Sequence, residues 1–155
     1  MKFTAAVIVF VLANLVAPVS ATAHCQVPCG IYDDHARIHS MLEDQSTIAK
    51  ATLKISELAS KSDATSRNQT VRWINTKEQH ASQIITVISE YFLTQKIKPA
   101  GKKNAKEHAR YLETLADAHA VMRAAMKCKQ GVDSAAASAL KTAIETFGKR
   151  YTRSK

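Results

Sequence analysis

The stretch DHARIHSMLEDQSTIAKATLKISELAS, residues 34–60, places Ile38, Met41 with Leu42, Ile48 with Ala49, Ile55 and Ala59 on a three-to-four spacing. That spacing lays apolar side chains along one face of an α-helix; a strand would alternate them. Asp33 or Asp34 is the N-cap candidate, a carboxylate able to accept from the unpaired N–H groups of the first turn. A polar stretch, residues 61–68, separates this helix from a second stripe of Val71, Ile74, Ala81, Ile84 with Ile85, Ile88, and Tyr91 with Phe92. The second helix ends near Lys98-Pro99-Ala100-Gly101, where proline has no N–H to extend the ladder. A third segment, from about Asn104 to Gln130, carries Tyr111, Leu112, Leu115, Ala118, His119, Met122 and Met126 on one side, with Gly131 at its C-terminal stop. The fourth starts at Asp133 or Ser134 and aligns Ala137, Leu140, Ile144, Phe147 and Tyr151. The pattern predicts an all-α fold, an up-down-up-down four-helix bundle over residues 33–155. No strand pattern, internal repeat or low-complexity tract interrupts it.

Upstream, Met1-Lys2 is a short cationic start, Phe3 to Ala17 is almost wholly apolar, and Ala21-Thr22-Ala23 is a small-x-small cleavage signal. Residues 1–23 are therefore expected to be a cleaved signal peptide, with export to a periplasm, a lumen or the medium. The competing reading is an uncleaved membrane anchor, but the apolar run is short for a span and has no basic stop-transfer flank. Residues 24–155 then form one domain, large enough to bury a core. Of the 155 residues, 22 are Lys or Arg and 13 Asp or Glu, a formal net charge of +9, and only Lys2 of these lies in the leader. The cations are scattered, and Trp73 and the tyrosines make no stacking pattern among them, so no nucleic-acid partner is expected. The one basic cluster, residues 149–155, is not a basic amphipathic segment, so no stable membrane association is expected either. A positive field does raise the encounter rate of a small anion.

Helical bundles often carry cofactors. A carboxylate-bridged di-iron core needs Glu-x-x-His pairs, and the chain has none. A c-type haem needs Cys-x-x-Cys-His, which the Cys25 to Cys29 spacing does not supply. His35 and His39 share a helical face, but no third ligand accompanies them, and they read as solvated or hydrogen-bonded, like His80, His108 and His119. The segment 24–32 differs in kind. Cleavage after Ala23 would give His24 a free amine, beside the Cys25 thiol and four residues before the Cys29 thiol. The amine, a deprotonated Cys25 amide and the two thiolates are four strong donors suited to a square around Ni(II) or Cu(II), with the His24 imidazole available as an axial ligand. Pro28 and Gly30 supply the tight return that brings Cys29 back toward Cys25.

His-Cys-x-x-Pro-Cys-Gly-x-Tyr-Asp at a processed N-terminus, read from His24 to Asp33 and followed by four helices, closely resembles nickel superoxide dismutase. The resemblance extends through Arg72-Trp73, Lys77-Glu78-Gln79-His80-Ala81 and Tyr91-Phe92 to Met126-Lys127-Cys128-Lys129-Gln130. It implies one nickel ion per subunit in a hook, residues 24–32. His24 would bind through its amine and, in the oxidised state, its imidazole; Cys25 through amide nitrogen and sulfur; Cys29 through sulfur. Pro28 would be the family's cis-proline, and Tyr32 would stand at the open face of the metal, ordering water and limiting access. The implied activity is conversion of superoxide to oxygen and hydrogen peroxide by Ni(II)/Ni(III) cycling, and the implied assembly is a homohexamer. Gln26 departs from the acidic residue common after the first Cys, and Val27 and Ile31 are conservative variants. In the family a Glu early in the first helix, with an Arg, holds the axial imidazole; here His39 stands near the Glu position and Arg72 is the candidate for the Arg. The leader is unlike the short propeptide of familiar members.

Two other readings of the segment remain at the level of sequence. Cys25 and Cys29 could form a plain disulfide in an oxidising compartment, leaving Cys128 as a packed or idle thiol. An exported helical protein could also bind nickel or copper at its N-terminus without turnover. A disulfide gives no reason for His24 at the cleaved end or for Tyr32 beyond the second cysteine.

Overall fold

The computed structural model describes residues 33–152. Helix α1 spans Asp34–Leu58, and α2 spans Ala64–Thr86 and continues directly into a π-helical segment, Val87–Lys96. Helices α3, Ala105–Gln130, and α4, Ser134–Thr152, complete an all-helical arrangement with no strand among the described residues. Each helix packs on the next and α1 closes the ring against α4. Asp44 meets His80 while Asp34 meets Tyr91, and Gln45 meets Ala137 while Asp34 meets Tyr151. Those pairings run α2 and α4 antiparallel to α1, as short connections require.

Each helix begins at an Asp or Asn that takes a free N–H of the first turn. Asp33 accepts from His35 at 2.8 Å, Asp63 from Ser66 at 2.9 Å, Asn104 from Glu107 at 3.2 Å and Asp133 from Ala135 at 2.8 Å. The bonds from Ser66 hold the Asp63 carboxyl below its usual range. The Asp63 cap also corrects the second boundary: α2 starts at Ala64, inside the polar stretch expected to be a connection. Its first turns lie at the outer end of the α1–α2 hairpin, where a helix needs a cap more than an apolar face.

The core contains Met41, Ile48, Ile84, Ile88, Phe92, Val121, Leu140, Ile144 and Phe147, all solvent-excluded. All five apolar positions read for α4 are buried. The buried face of α3 is different from the one expected: Thr114, Ala118, Val121, Ala125 and Cys128 point inward, while Leu112 and Met126 are exposed. The face is rotated by about one position because alanines at 118 and 125 let the helix backbone approach closely, and bulkier side chains are left on the flanks. Val71, Ile74 and Ala59, read as part of the buried stripes, are also exposed. Gly131 is extended, at φ −162°, not left-handed. The α3 terminus is closed from outside the helix instead. Buried Lys77 donates from Nζ to the carbonyls of Cys128 at 2.6 Å and Lys129 at 3.0 Å, placing a cation at the negative end of the helix dipole.

Candidate metal centre

His24, Cys25, Cys29 and Tyr32, with the leader 1–23, lie outside the described residues. The described chain opens at Asp33, so the end of the bundle next to that segment is on view. Asp34, one residue past the cap, is 5% exposed. Its carboxylate accepts from Tyr91 Oη at 2.5 Å and Tyr151 Oη at 2.9 Å, and Lys96 Nζ stands 3.4 Å away. Lys96 Nζ and the Arg37 guanidinium lie 5.2 and 5.4 Å from the centroid of the Tyr91 ring, within cation–π range. Burial, and then the bond to Asp34, push both phenols well above their usual value of 10.0, so they remain protonated donors. Behind them Phe92 meets the rings of Tyr91, Phe147 and Tyr151 edge-on at 4.9 to 5.1 Å, which fixes the two tyrosines from below.

The π-helical segment explains how two side chains five apart reach one carboxylate. On an α-helix, positions five apart diverge by about 140°. With i→i+5 bonding, seen in the Ile97 N–H to Phe92 C=O bond at 2.8 Å, the turn widens and Lys96 returns over Tyr91. A cavity of about 290 Å³ adjoins the cluster, lined in part by Tyr151, Lys96, Lys98, Arg110 and Tyr111.

The remaining histidines are dispersed. His35, His39 and His119 are exposed, and His108 Nδ1 donates to the Ala100 carbonyl at 2.8 Å. His80 Nδ1 donates to Asp44 Oδ1 at 2.6 Å, while Asp44 Oδ2 is buried without a hydrogen-bond partner among the described residues. His39 and Arg72 lie far apart within one chain. The Asp34–Tyr91 and Asp44–His80 contacts put position 39 level with about position 85, so Arg72 sits roughly 20 Å further along the bundle. Within one chain the two side chains do not meet. Sequence reading missed Asp34 as more than a cap, and missed Lys77 and Lys96; the available signal was a charged residue on or beside an apolar stripe.

Among the described residues no group of three His, Cys, Asp or Glu side chains could hold a metal ion. Cys128 is 3% exposed, and burial raises its thiol, which disfavours the thiolate a metal requires. The candidate donors His24, Cys25 and Cys29 lie in the sequence just ahead of the described residues, and an imidazole with two thiols is a donor set of the type that fits a nickel ion. No curated protein and no solved structure matches the chain. The sequence profile of a family described as nickel-containing superoxide dismutase matches residues 19–155, the candidate donors and all four helices included. That assigns a superoxide dismutase, with nickel as its metal and superoxide as its substrate. With nearly the whole chain inside the match, it belongs to the nickel-containing superoxide dismutase family.

Proposed function

We propose that cleavage after Ala23 frees the His24 amine and that residues 24–32 then hold nickel as a hook. The ligands are the amine and imidazole of His24, the amide nitrogen and thiolate of Cys25 and the thiolate of Cys29. The observation that carries this reading is the family match, which runs through the hook without a break, joined to the lack of any other metal-binding cluster among the described residues. Bound there, nickel supplies the one-electron couple, Ni(II)/Ni(III), that lies between the two superoxide couples. Two anionic thiolates and an amidate make the higher state accessible, and the His24 imidazole stabilises it further. Two superoxide ions and two protons give oxygen and hydrogen peroxide.

The other residues hold and guard. Tyr32 orders water at the open face and limits access to small species. Asp33 caps α1 directly after the hook, so the hook joins the bundle at the start of that helix. The positive charge draws in the anionic substrate. Export follows from the leader, and a homohexamer of bundles from the family; exposed Leu53, Val71 and Ile74 on the α1–α2 hairpin are apolar surface that subunit contacts would cover.

The deciding experiment is mass spectrometry of the N-terminus with metal analysis and activity on the same natural sample. A chain beginning at His24 with one nickel per subunit and superoxide-removing activity is expected. A chain beginning elsewhere, or activity retained in Cys25→Ser or Cys29→Ser, refutes the hook.

A further inference from the structure

We propose that Asp34, clamped by Tyr91, Tyr151 and Lys96, is a positioning residue that locks the base of the metal hook to the bundle. The inference rests on the hook reading above. Asp34 stands two residues after Tyr32, the last hook residue, and is the first residue of α1. A helix needs no buried carboxylate at that place: Asp33 already caps the first turn through its bond from His35. Burying an ionised group is costly unless it is well paired. Asp34 is paired by three groups from two distant parts of the chain, the π-helical segment and the end of α4. Burial and the bonds to Asp34 raise both phenols above their usual value, so they stay protonated as donors to that carboxylate.

The arrangement has a geometric purpose. A first helical residue held only by its own cap can fray, and fraying would be passed directly to the adjoining hook. With Asp34 tied to α4 and to the π-helical segment, the first turn of α1 moves only with the whole bundle. The π register is part of the device, since it brings Lys96 and Tyr91 to one carboxylate. A metal site of thiolate and amide donors tolerates little displacement, and groups that orient its ligands commonly alter metal retention by factors of ten or more.

The test uses the nickel-loaded chain beginning at His24, with Asp34→Asn, Tyr151→Phe and, as a control, Tyr111→Phe, which removes a hydroxyl lining the same cavity. Three quantities are read: the rate of nickel transfer to excess EDTA, the thiolate-to-nickel absorption bands, and the melting of the metal-free protein. Asp34→Asn and Tyr151→Phe are expected to release nickel on the order of tenfold faster, the worth of a lost charge-assisted hydrogen bond. Tyr111→Phe is expected to keep the parental rate. Should Asp34→Asn fail to fold, Tyr151→Phe alone decides, since it removes a single hydroxyl. Parental release in Tyr151→Phe, or equal acceleration in Tyr111→Phe, overturns the proposal, as do thiolate-to-nickel bands identical to the parent's in both clamp variants. A parent that takes up no nickel overturns the hook reading and this inference with it, whereas a parent that loads normally while the variants release at its rate overturns this inference alone.

Discussion

Replacing Lys77 by methionine removes the buried ammonium while keeping an unbranched apolar chain about as long as the lysine's methylene stem. Its Nζ is the partner of two carbonyls in the last turn of α3, Cys128 at 2.6 Å and Lys129 at 3.0 Å. Each charge-assisted bond is worth roughly 1.5–3 kcal/mol, and interaction with the helix dipole adds up to about 1 kcal/mol. The contact to Glu78 at 3.1 Å adds little, because that carboxylate is 38% exposed. Against these losses, methionine removes the desolvation cost of the ammonium, which offsets part of the total. A net loss of about 3 kcal/mol is expected, which lowers Tm by about 10 °C for a domain of this size. Urea unfolding of the metal-free chain, followed by far-ultraviolet circular dichroism, measures it, and hydrogen exchange should localise the earliest opening to the C-terminal turn of α3. A change below about 0.5 kcal/mol would refute the argument that this lysine closes the helix.

Phe92→Ala should cost about 3–5 kcal/mol in the same assay, because Phe92 is solvent-excluded and touches three aromatic rings; a loss below about 1 kcal/mol would mean the cluster repacks freely. Tyr91 and Tyr151 have folded-state values raised above the unfolded 10.0, so their stabilisation is complete below pH 10 and declines as pH rises above it. Absorbance at alkaline pH should therefore show two tyrosines ionising late, and ordinary titration of all of them would contradict the buried clamp. Cys128 should react with a thiol reagent only on unfolding, since the group is buried and its thiol is raised; rapid labelling of the native chain would place it elsewhere. If positive charge steers superoxide, the bimolecular rate of the loaded enzyme should fall as ionic strength rises, and a flat profile would remove steering.

Helix number and order were legible because they depend on local chemistry, while the start of α2 at Ala64 was not. Asp33 and Asp133 cap as read, the third helix begins next to Asn104 as expected, and the α4 stripe reads as it packs. The inward face of α3 was not legible, because Ala118 and Ala125 reveal themselves as contact residues only against a neighbouring helix. The π register of residues 87–96 was equally hidden: its apolar spacing resembles an α-helix, and the cause is a tertiary demand for Tyr91 and Lys96 at one carboxylate. The candidate metal donors His24, Cys25 and Cys29, with Tyr32 beyond them, are read from the sequence alone and lie outside the described residues. The Asp34–Tyr151 contact was not legible, since the two residues are 117 positions apart in sequence and meet only through the closure of α1 against α4.

The wide turn of Val87–Lys96 also sets where the chain can change length. Removing a single residue there would let the segment tighten into an ordinary helix and carry Lys96 away from its carboxylate. The hairpin tip at residues 59–63, by contrast, can gain or lose residues without disturbing that end of the molecule, because the Asp34 cluster lies at the opposite extremity of α1. Variation in length among relatives should accordingly collect at that tip and avoid the wide turn.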